Sequence, residues 1–153
     1  MIYLITLTLH SWARWLVVVT GLIAVVRAIS GTTSGRPWTP HDNRAAFFFT
    51  MMFDLQVLIG LLLYAWLSPI TREAFRDIGA AMKSNGLRFW AVEHIFGMII
   101  ALALAHIGRA RVRKADPSRR HKVALIFFGL ALFVMLASIP WPGAPYGRPL
   151  LRW

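Results

Sequence analysis

The sequence predicts an all-α integral membrane protein, a four-helix bundle built as one transmembrane domain over residues 1–153. Three observations lead to this fold class. The chain is 58% hydrophobic with a mean hydropathy of +0.58. Only 15% of its residues are charged, where a soluble domain carries about 25%. Four apolar stretches are each close to the roughly 20 residues that a helix needs to cross a bilayer core, and none has the polar stripe of a soluble amphipathic helix.

The four predicted spans follow one another along the chain. We place them at residues 5–26, 45–67, 89–108 and 123–139. The first span lacks the basic segment and the small-residue cleavage site of a signal peptide, so we expect it to stay in the membrane as a helix. The first connection, residues 30–43, is rich in turn-forming residues and is predicted to be a loop.

The second connection, residues 68–86, is predicted to contain a short helix. It opens on a Ser-Pro pair, which is typical of a helix start, and closes on an Asn-Gly pair, which is typical of a helix end. Phe75, Ile78 and Met82 would share one face of this helix. We therefore expect the helix to lie on the outer membrane surface.

Basic residues are distributed unevenly between the two sides of the predicted bundle. Those near the first and third connections are Arg27, Arg36, Arg44, Arg109, Arg111, Arg113, Lys114, Arg119, Arg120 and Lys122. Those on the other side are Arg72, Arg76, Lys83, Arg88, Arg148 and Arg152. The positive-inside rule then places the first and third connections in the cytoplasm and both termini outside. Anionic lipid accounts for the net charge of +11, and no nucleic-acid partner is expected.

The chain has no cysteine. This excludes c-type haem attachment, thiolate-bound iron–sulfur clusters, disulfides and cysteine nucleophiles. Any metal site therefore has to use histidine, methionine or carboxylate ligands. Gly-rich phosphate loops and the HExxH and GxSxG motifs are also missing from the sequence. An electron-transfer component is thus a better expectation than a self-contained enzyme.

Two histidines are predicted to lie at one depth on different helices. His10 lies seventeen residues outward from Arg27, or about 25 Å at the rise of an α-helix. His94 lies fifteen residues outward from Arg109, or about 22 Å. Ionisable residues inside a span usually face the bundle interior and mark function. A haem iron held between His10 and His94 would explain both residues without a cysteine ligand.

The neighbours of His10 fit such a site. Arg14 follows by four residues and shares the helix face, where its guanidinium would suit a haem propionate. Gly21 lies about three turns further along the same face and would admit a flat ligand or a close helix. Glu93 lies at a depth similar to that of Arg14, so an ion pair between these two residues is the alternative.

The second span carries two polar residues of its own. Asp54 lies near mid-membrane and is expected either to be kept neutral by burial or to pair with a cation or a metal-bound ligand. Gln56 points about 200° away from Asp54 around the helix and is expected to hydrogen-bond across the bundle. Either residue could also orient the side chains that bind a ligand, without contacting the ligand itself. His106 faces away from His94, and His106 and His121 are predicted to be solvated or to form a second, inner site.

Several motifs resemble those of a family of small bacterial four-span membrane proteins that are labelled cytochrome b-like. They read "HSWARW", "DLQVLIGLLLY", "RFWAVEH", "IPWP" and "GRP", and together they cover most of the chain. The resemblance implies a b-type haem in the bacterial inner membrane. His10 and His94 match two histidines of the family, whereas a third, two positions before the QxLIG segment, is here Asp54.

The sequence leaves more than one class of function open. The first is electron transfer through a haem b between His10 and His94, with quinol or a redox protein as the partner. The second is a non-catalytic membrane subunit or scaffold of a larger complex, in which His10 is an interfacial residue and the charged pair is structural. Quinone binding or proton transfer without a metal is the third.

Overall fold

The computed structural model describes residues 1–151, in which the regular elements are helices and no strand occurs. Its helices are α1 (Ile2–Ser34), α2 (Pro40–Leu62), α3 (Pro69–Arg76), α4 (Ile78–Lys83), α5 (Asn85–Arg88), α6 (His94–Lys114) and α7 (Arg120–Ala137). Wide π-helical turns extend α2 over Leu63–Leu67 and precede α6 over Phe89–Glu93, and a 3₁₀ turn, Pro117–Arg119, precedes α7. Arg152, one of the predicted outer basic residues, lies outside the described residues.

Four of these helical segments are long and apolar enough to cross a membrane. They are Ile2–Ser34, Pro40–Leu67, Asn85–Lys114 and Pro117–Ala137. The prediction of an all-α chain with four long apolar helices is therefore confirmed. Helix α1 packs against α2 and α7, and α6 packs against α7 and α2, so the four form a closed ring.

The first helix is longer than the sequence predicts. Residues 30–34, expected in a loop, continue α1 to Ser34, and the helix ends at Gly35 with a left-handed φ of 67°. Gly31 allows this continuation, because a Cβ at its position would overlap the imidazole ring of His121 on α7. Glycine is unfavourable inside a helix, but here it gives the His121 ring the space to pack against α1.

A buried carboxylate joins the end of α1 to the start of α2. Asp42 is 2% exposed and accepts hydrogen bonds from Arg27 Nε at 2.8 Å, Arg36 Nη1 at 2.7 Å and Thr39 Oγ1 at 2.7 Å. The Thr39 hydroxyl caps α2 in return. The hydrogen bond from Arg36 to Asp42 raises the pKa of that guanidinium above its ordinary value, so Arg36 stays charged.

The second connection contains three short helices, α3, α4 and α5, where the sequence predicts one. The breaks fall where polar side chains cap the next helix. Asp77 Oδ1 accepts from the backbone N–H of Ala80 at 2.9 Å, and Ser84 Oγ accepts from that of Leu87 at 3.4 Å. Such side chains compete with the continuing helix for backbone groups. Phe75, from the predicted apolar face, packs edge-on against the Tyr64 ring of the first π turn.

Candidate functional site

A cavity of about 130 Å³ lies between α1, α2 and α6, at the end of the bundle where α6 begins. Its walls are mostly apolar. The ionisable and polar side chains that line it include His10, Arg14, Gln56, Tyr64 and His94. A largely apolar pocket with a few convergent polar groups is the usual form of a ligand site.

His10 and His94 face each other in this cavity. Their ring centres are 6.4 Å apart and the ring planes are inclined by 76°. The two histidines that the sequence places at one depth therefore lie side by side in the structure. Two imidazoles on opposite sides of one metal ion have ring centres about 6 Å apart, since each metal–nitrogen bond is about 2 Å long and the nitrogen lies about an ångström from the ring centre.

The His94 ring is held in one orientation by the end of α7. Nδ1 lies 2.8 Å from the backbone carbonyl of Ser138, so Nδ1–H donates and Nε2 keeps its lone pair. Gly97, one turn along α6, makes room for this contact, because a Cβ there would collide with the Ser138 hydroxyl. Metal-binding histidines are commonly oriented in this way, with the second ring nitrogen donating to a backbone carbonyl.

His10 is held by α2. The Gln56 amide nitrogen lies 3.2 Å from His10 Nε2 and donates to the His10 backbone carbonyl at 3.1 Å. The prediction that Gln56 hydrogen-bonds across the bundle is confirmed. His10 Nδ1 and Gln56 Oε1 are both buried without a hydrogen-bond partner in the part of the chain that the structure describes. A polar atom that is buried without a hydrogen bond lowers the stability of the protein. These two atoms therefore mark a place where a bound ligand would be stabilising.

The nitrogen donors fit a haem held by two histidines. His94 offers Nε2. In the arrangement shown, the Gln56 amide nitrogen donates to the His10 carbonyl and faces His10 Nε2, so the His10 ring carries its proton on Nδ1. Ligation through Nδ1 requires the amide to turn over, which exchanges the hydrogen bond to the His10 carbonyl for one from His10 Nε2–H. The volume of the cavity suits a haem less well, because its 130 Å³ is below the volume of about 300–1,000 Å³ that most ligand sites have. A porphyrin therefore requires lining side chains such as Leu61 and Ile99, both partly exposed, to move aside.

Helix α2 leaves room for the His10 ring at Gly60. A Cβ at Gly60 would lie 3.0 Å from His10 Cε1, so Gly60→Val is expected to push the imidazole out of place and lower ligand binding by about tenfold or more, as losses around metal-bound histidines do. Bound haem per chain, or the imidazole NMR signals, would measure this. Gly129→Val is the matched control, since a Cβ there meets nothing within 4 Å. Equal effects of the two changes would contradict this role of Gly60.

Two wide helical turns meet beside the site. Tyr64, in the first π turn, donates from its hydroxyl to the Ala91 carbonyl in the second at 2.7 Å, and Thr71 donates to the Tyr64 carbonyl at 2.9 Å. The second π turn ends at Glu93, immediately before His94. π turns are frequent at functional sites, and these two fix the approach of α2 and α6 next to the cavity.

Arg14 lies in the cavity wall, as the sequence predicts, but a segment that the sequence analysis missed covers it. The Arg14 guanidinium donates to the backbone carbonyl of Leu150 and, at 3.4 Å, to Ser11 Oγ. Trp15 Nε1 donates to the same Leu150 carbonyl at 3.1 Å. The tail after α7 therefore folds back over the N-terminal part of α1.

The same tail also contacts the start of α6. The Tyr146 ring stacks on Phe89 with centres 3.7 Å apart, and the Arg148 guanidinium lies 5.3 Å from the centre of the Trp90 ring. One stacked pair of rings, one cation–π contact and two hydrogen bonds to the Leu150 carbonyl therefore hold the tail across this end of the cavity. The aromatic and proline residues within 140–151 were the one feature of the sequence that could have indicated this packing of the tail.

For two residues near the predicted site, the structure decides between the alternatives that the sequence left open. Glu93 accepts from Arg88 Nε at 2.6 Å in an exposed ion pair, so it does not form the predicted alternative pair with Arg14. Gly21 lies against Phe49 and Leu132, where a Cβ would be 2.8 Å from Phe49 Cε2. It serves a close helix contact, the second of its two predicted roles, and does not line the cavity.

The remaining ionisable residues lie elsewhere in the bundle. Asp54 Oδ1 is 2.7 Å from His106 Nε2, and both side chains are nearly half exposed, so Asp54 is neither buried nor close to the cavity histidines. His121 is only 4% exposed, which corrects the expectation of a solvated ring, and it packs 4.9 Å from Trp38. His106 and His121 thus contact different helices and do not form a shared inner site.

No family model, curated protein or solved structure matches this chain. Its function is therefore inferred from the geometry of the cavity and from the motifs of the sequence.

Proposed function

We propose that this chain is a multi-pass protein of the bacterial cytoplasmic membrane that holds a b-type haem between His10 and His94 and transfers electrons. The observation that supports the proposal most is the opposition of these two imidazoles, 6.4 Å apart, in an apolar cavity between three helices. One ring is already anchored through Nδ1, and the other has a buried nitrogen without a partner among the described residues.

The surface of the bundle supports membrane insertion. Large apolar side chains are exposed all along the four long helices, among them Leu16, Leu58, Ile99 and Phe133. A soluble monomer rarely exposes contiguous apolar surface on this scale, whereas a bilayer covers it. With the excess of Lys and Arg on the connections α1–α2 and α6–α7, the positive-inside rule places these connections in the cytoplasm. Both termini and the His10–His94 cavity then lie at the outer face.

Four polar residues of the cavity have a role under this proposal. His10 and His94 supply the two nitrogen ligands, and Gln56 and the Ser138 carbonyl set the orientation of the two rings. Arg14 places a cation beside them, which suits a propionate carboxylate. A haem held there supplies one-electron chemistry. Its partner would be a quinol in the bilayer or a redox protein at the outer face.

A difference spectrum tests the proposal directly. The full chain, purified in mild detergent from cells with sufficient haem, is expected to contain about one protohaem per polypeptide, as a single bis-histidine site requires. Dithionite-reduced protein should show a sharp b-type band that is lost on oxidation. Protein that is folded and free of haem under these conditions would contradict the proposal and leave the scaffold alternative standing.

A further inference from the structure

A second cleft lies at the opposite end of the bundle from the two histidines. It has a volume of about 660 Å³ and separates the end of α6 from the start of α7. Apolar side chains line it, namely Ile107 on α6 and Val123 and Phe127 on α7. Gly108 lets the two helices come together here, since a Cβ at its position would overlap the Phe127 side chain.

Three cations surround this apolar floor. Arg111, Lys114 and Arg119 line the cleft and are exposed, and Asp116 is the carboxylate that lines it, which leaves a net local charge of +2 (3 − 1). Within residues 1–151 none of the three cations takes part in an ion pair. The last turn of α6 needs some positive charge to offset its dipole, but that need does not explain three cations around one cleft.

The start of α7 adds no negative charge to this region, because its first turn contains no acidic residue. The cleft therefore combines uncompensated positive charge with an apolar floor that runs from the helix ends into the spans.

We propose that this cleft binds an anionic phospholipid of the cytoplasmic leaflet. Its phosphate would lie between Arg111, Lys114 and Arg119, and one acyl chain would lie along Ile107 and Phe127. Basic pockets between spans on the cytoplasmic side have this ligand preference, and guanidinium groups suit phosphate oxygens. The apolar floor favours a lipid over free phosphate, which has no group to cover it. This inference rests on the membrane orientation proposed above and does not depend on haem.

Lipid retention tests the site with two charge-matched variants. One variant removes the rim cations, Arg111→Gln, Lys114→Gln and Arg119→Gln. The control also removes two arginines and one lysine from the same side but outside the cleft, Arg44→Gln, Arg113→Gln and Lys122→Gln. Both lose equal general attraction to an anionic surface, so only direct phosphate contacts distinguish them.

The probe is phosphatidylglycerol in mixed micelles, with phosphatidylcholine as the neutral lipid, and native mass spectrometry counts the lipid retained by the full chain. The rim variant is expected to bind phosphatidylglycerol about tenfold more weakly than the control, as for lost hydrogen bonds to a charged group. Equal retention by the two variants would overturn the proposal. Displacement of the lipid by inorganic phosphate would also overturn the proposal, if it occurred at the concentration at which phosphate alone binds. That result would identify the cleft as a site for free phosphate.

A labelling experiment separates this inference from the proposals on which it rests. The chain has no cysteine, so Ser118→Cys, in the connection beside the cleft, gives a single thiol. A membrane-impermeant maleimide should label it only after the cells are permeabilised. Labelling in intact cells would place the cleft outside and overturn the assignment to the cytoplasmic leaflet. Protein that retains lipid but never contains haem would overturn the haem proposal alone.

Discussion

Under the proposed function, replacing either His10 or His94 by alanine is expected to abolish haem binding. Each change removes one of the two proposed nitrogen ligands, and no other histidine in residues 1–151 lines the cavity. Changes that only disorient a metal-bound histidine already weaken binding by about 10–100-fold, so loss of the ligand itself should cost at least as much. The measurement is haem per polypeptide in purified protein, together with the reduced-minus-oxidised spectrum.

Three other histidine variants are the controls for this result. His41 is exposed, His106 pairs with Asp54, and His121 packs against Trp38. Alanine at any of these positions should leave the haem content unchanged once the yield of folded protein is accounted for. Equal haem content in all five variants would end the bis-histidine proposal. Loss of haem in the His106→Ala variant alone would move the site to the pair with Asp54.

The largest effect on stability is expected from Asp42→Asn. Removal of one partner from a buried ion pair costs about 3–5 kcal/mol. We expect about 3 kcal/mol here, the low end of that range, because the side chains of Arg27 and Arg36 remain 35% and 27% exposed and water would partly solvate them. The melting temperature of the purified protein in detergent should fall by roughly 10 °C.

Glu73→Gln is the matched control for the Asp42 change. Glu73 is exposed on α3 and forms no ion pair with a described residue, so its neutralisation should change the free energy of unfolding by at most about 0.5 kcal/mol. A similar loss of stability in both variants would show that net charge matters more than the Asp42 cluster. Haem content should be unchanged in both, because the cluster contacts the other end of α1.

Helical rise predicted the pair of histidines because it depends only on residue spacing. It fixed the depths of His10 and His94 once the spans were known, and the two rings do meet. Rotation about the helix axis likewise predicted that Asp54 and Gln56 serve different neighbours, which are His106 and His10. The identity of the neighbour of Asp54 did not follow, since it depends on which helices are adjacent in the ring.

The wrong predictions concern residues whose backbone departs from a regular α-helix, or whose conformation is decided by packing against another helix. Glu93 pairs with Arg88, five residues earlier, a spacing that lies on different faces of an α-helix but on one face of the wider π turn between them. Gly31 was assigned to a loop by its composition, although its contact with His121 keeps it helical. The hydropathy pattern of a sequence predicts neither a π turn nor which helix will pack against a given residue.

The closure of the cavity by the tail has a consequence for biogenesis. His10 and Arg14 lie on the first helix, yet the carbonyl that accepts from Arg14 belongs to Leu150, 136 residues after Arg14. Contacts of such long sequence separation form late in folding. The four helices can therefore pack before the tail completes the site, and under the proposed function the capture of haem would be a maturation step that follows this packing. In the proposed membrane orientation, the two histidines would be open to the outer face during that interval.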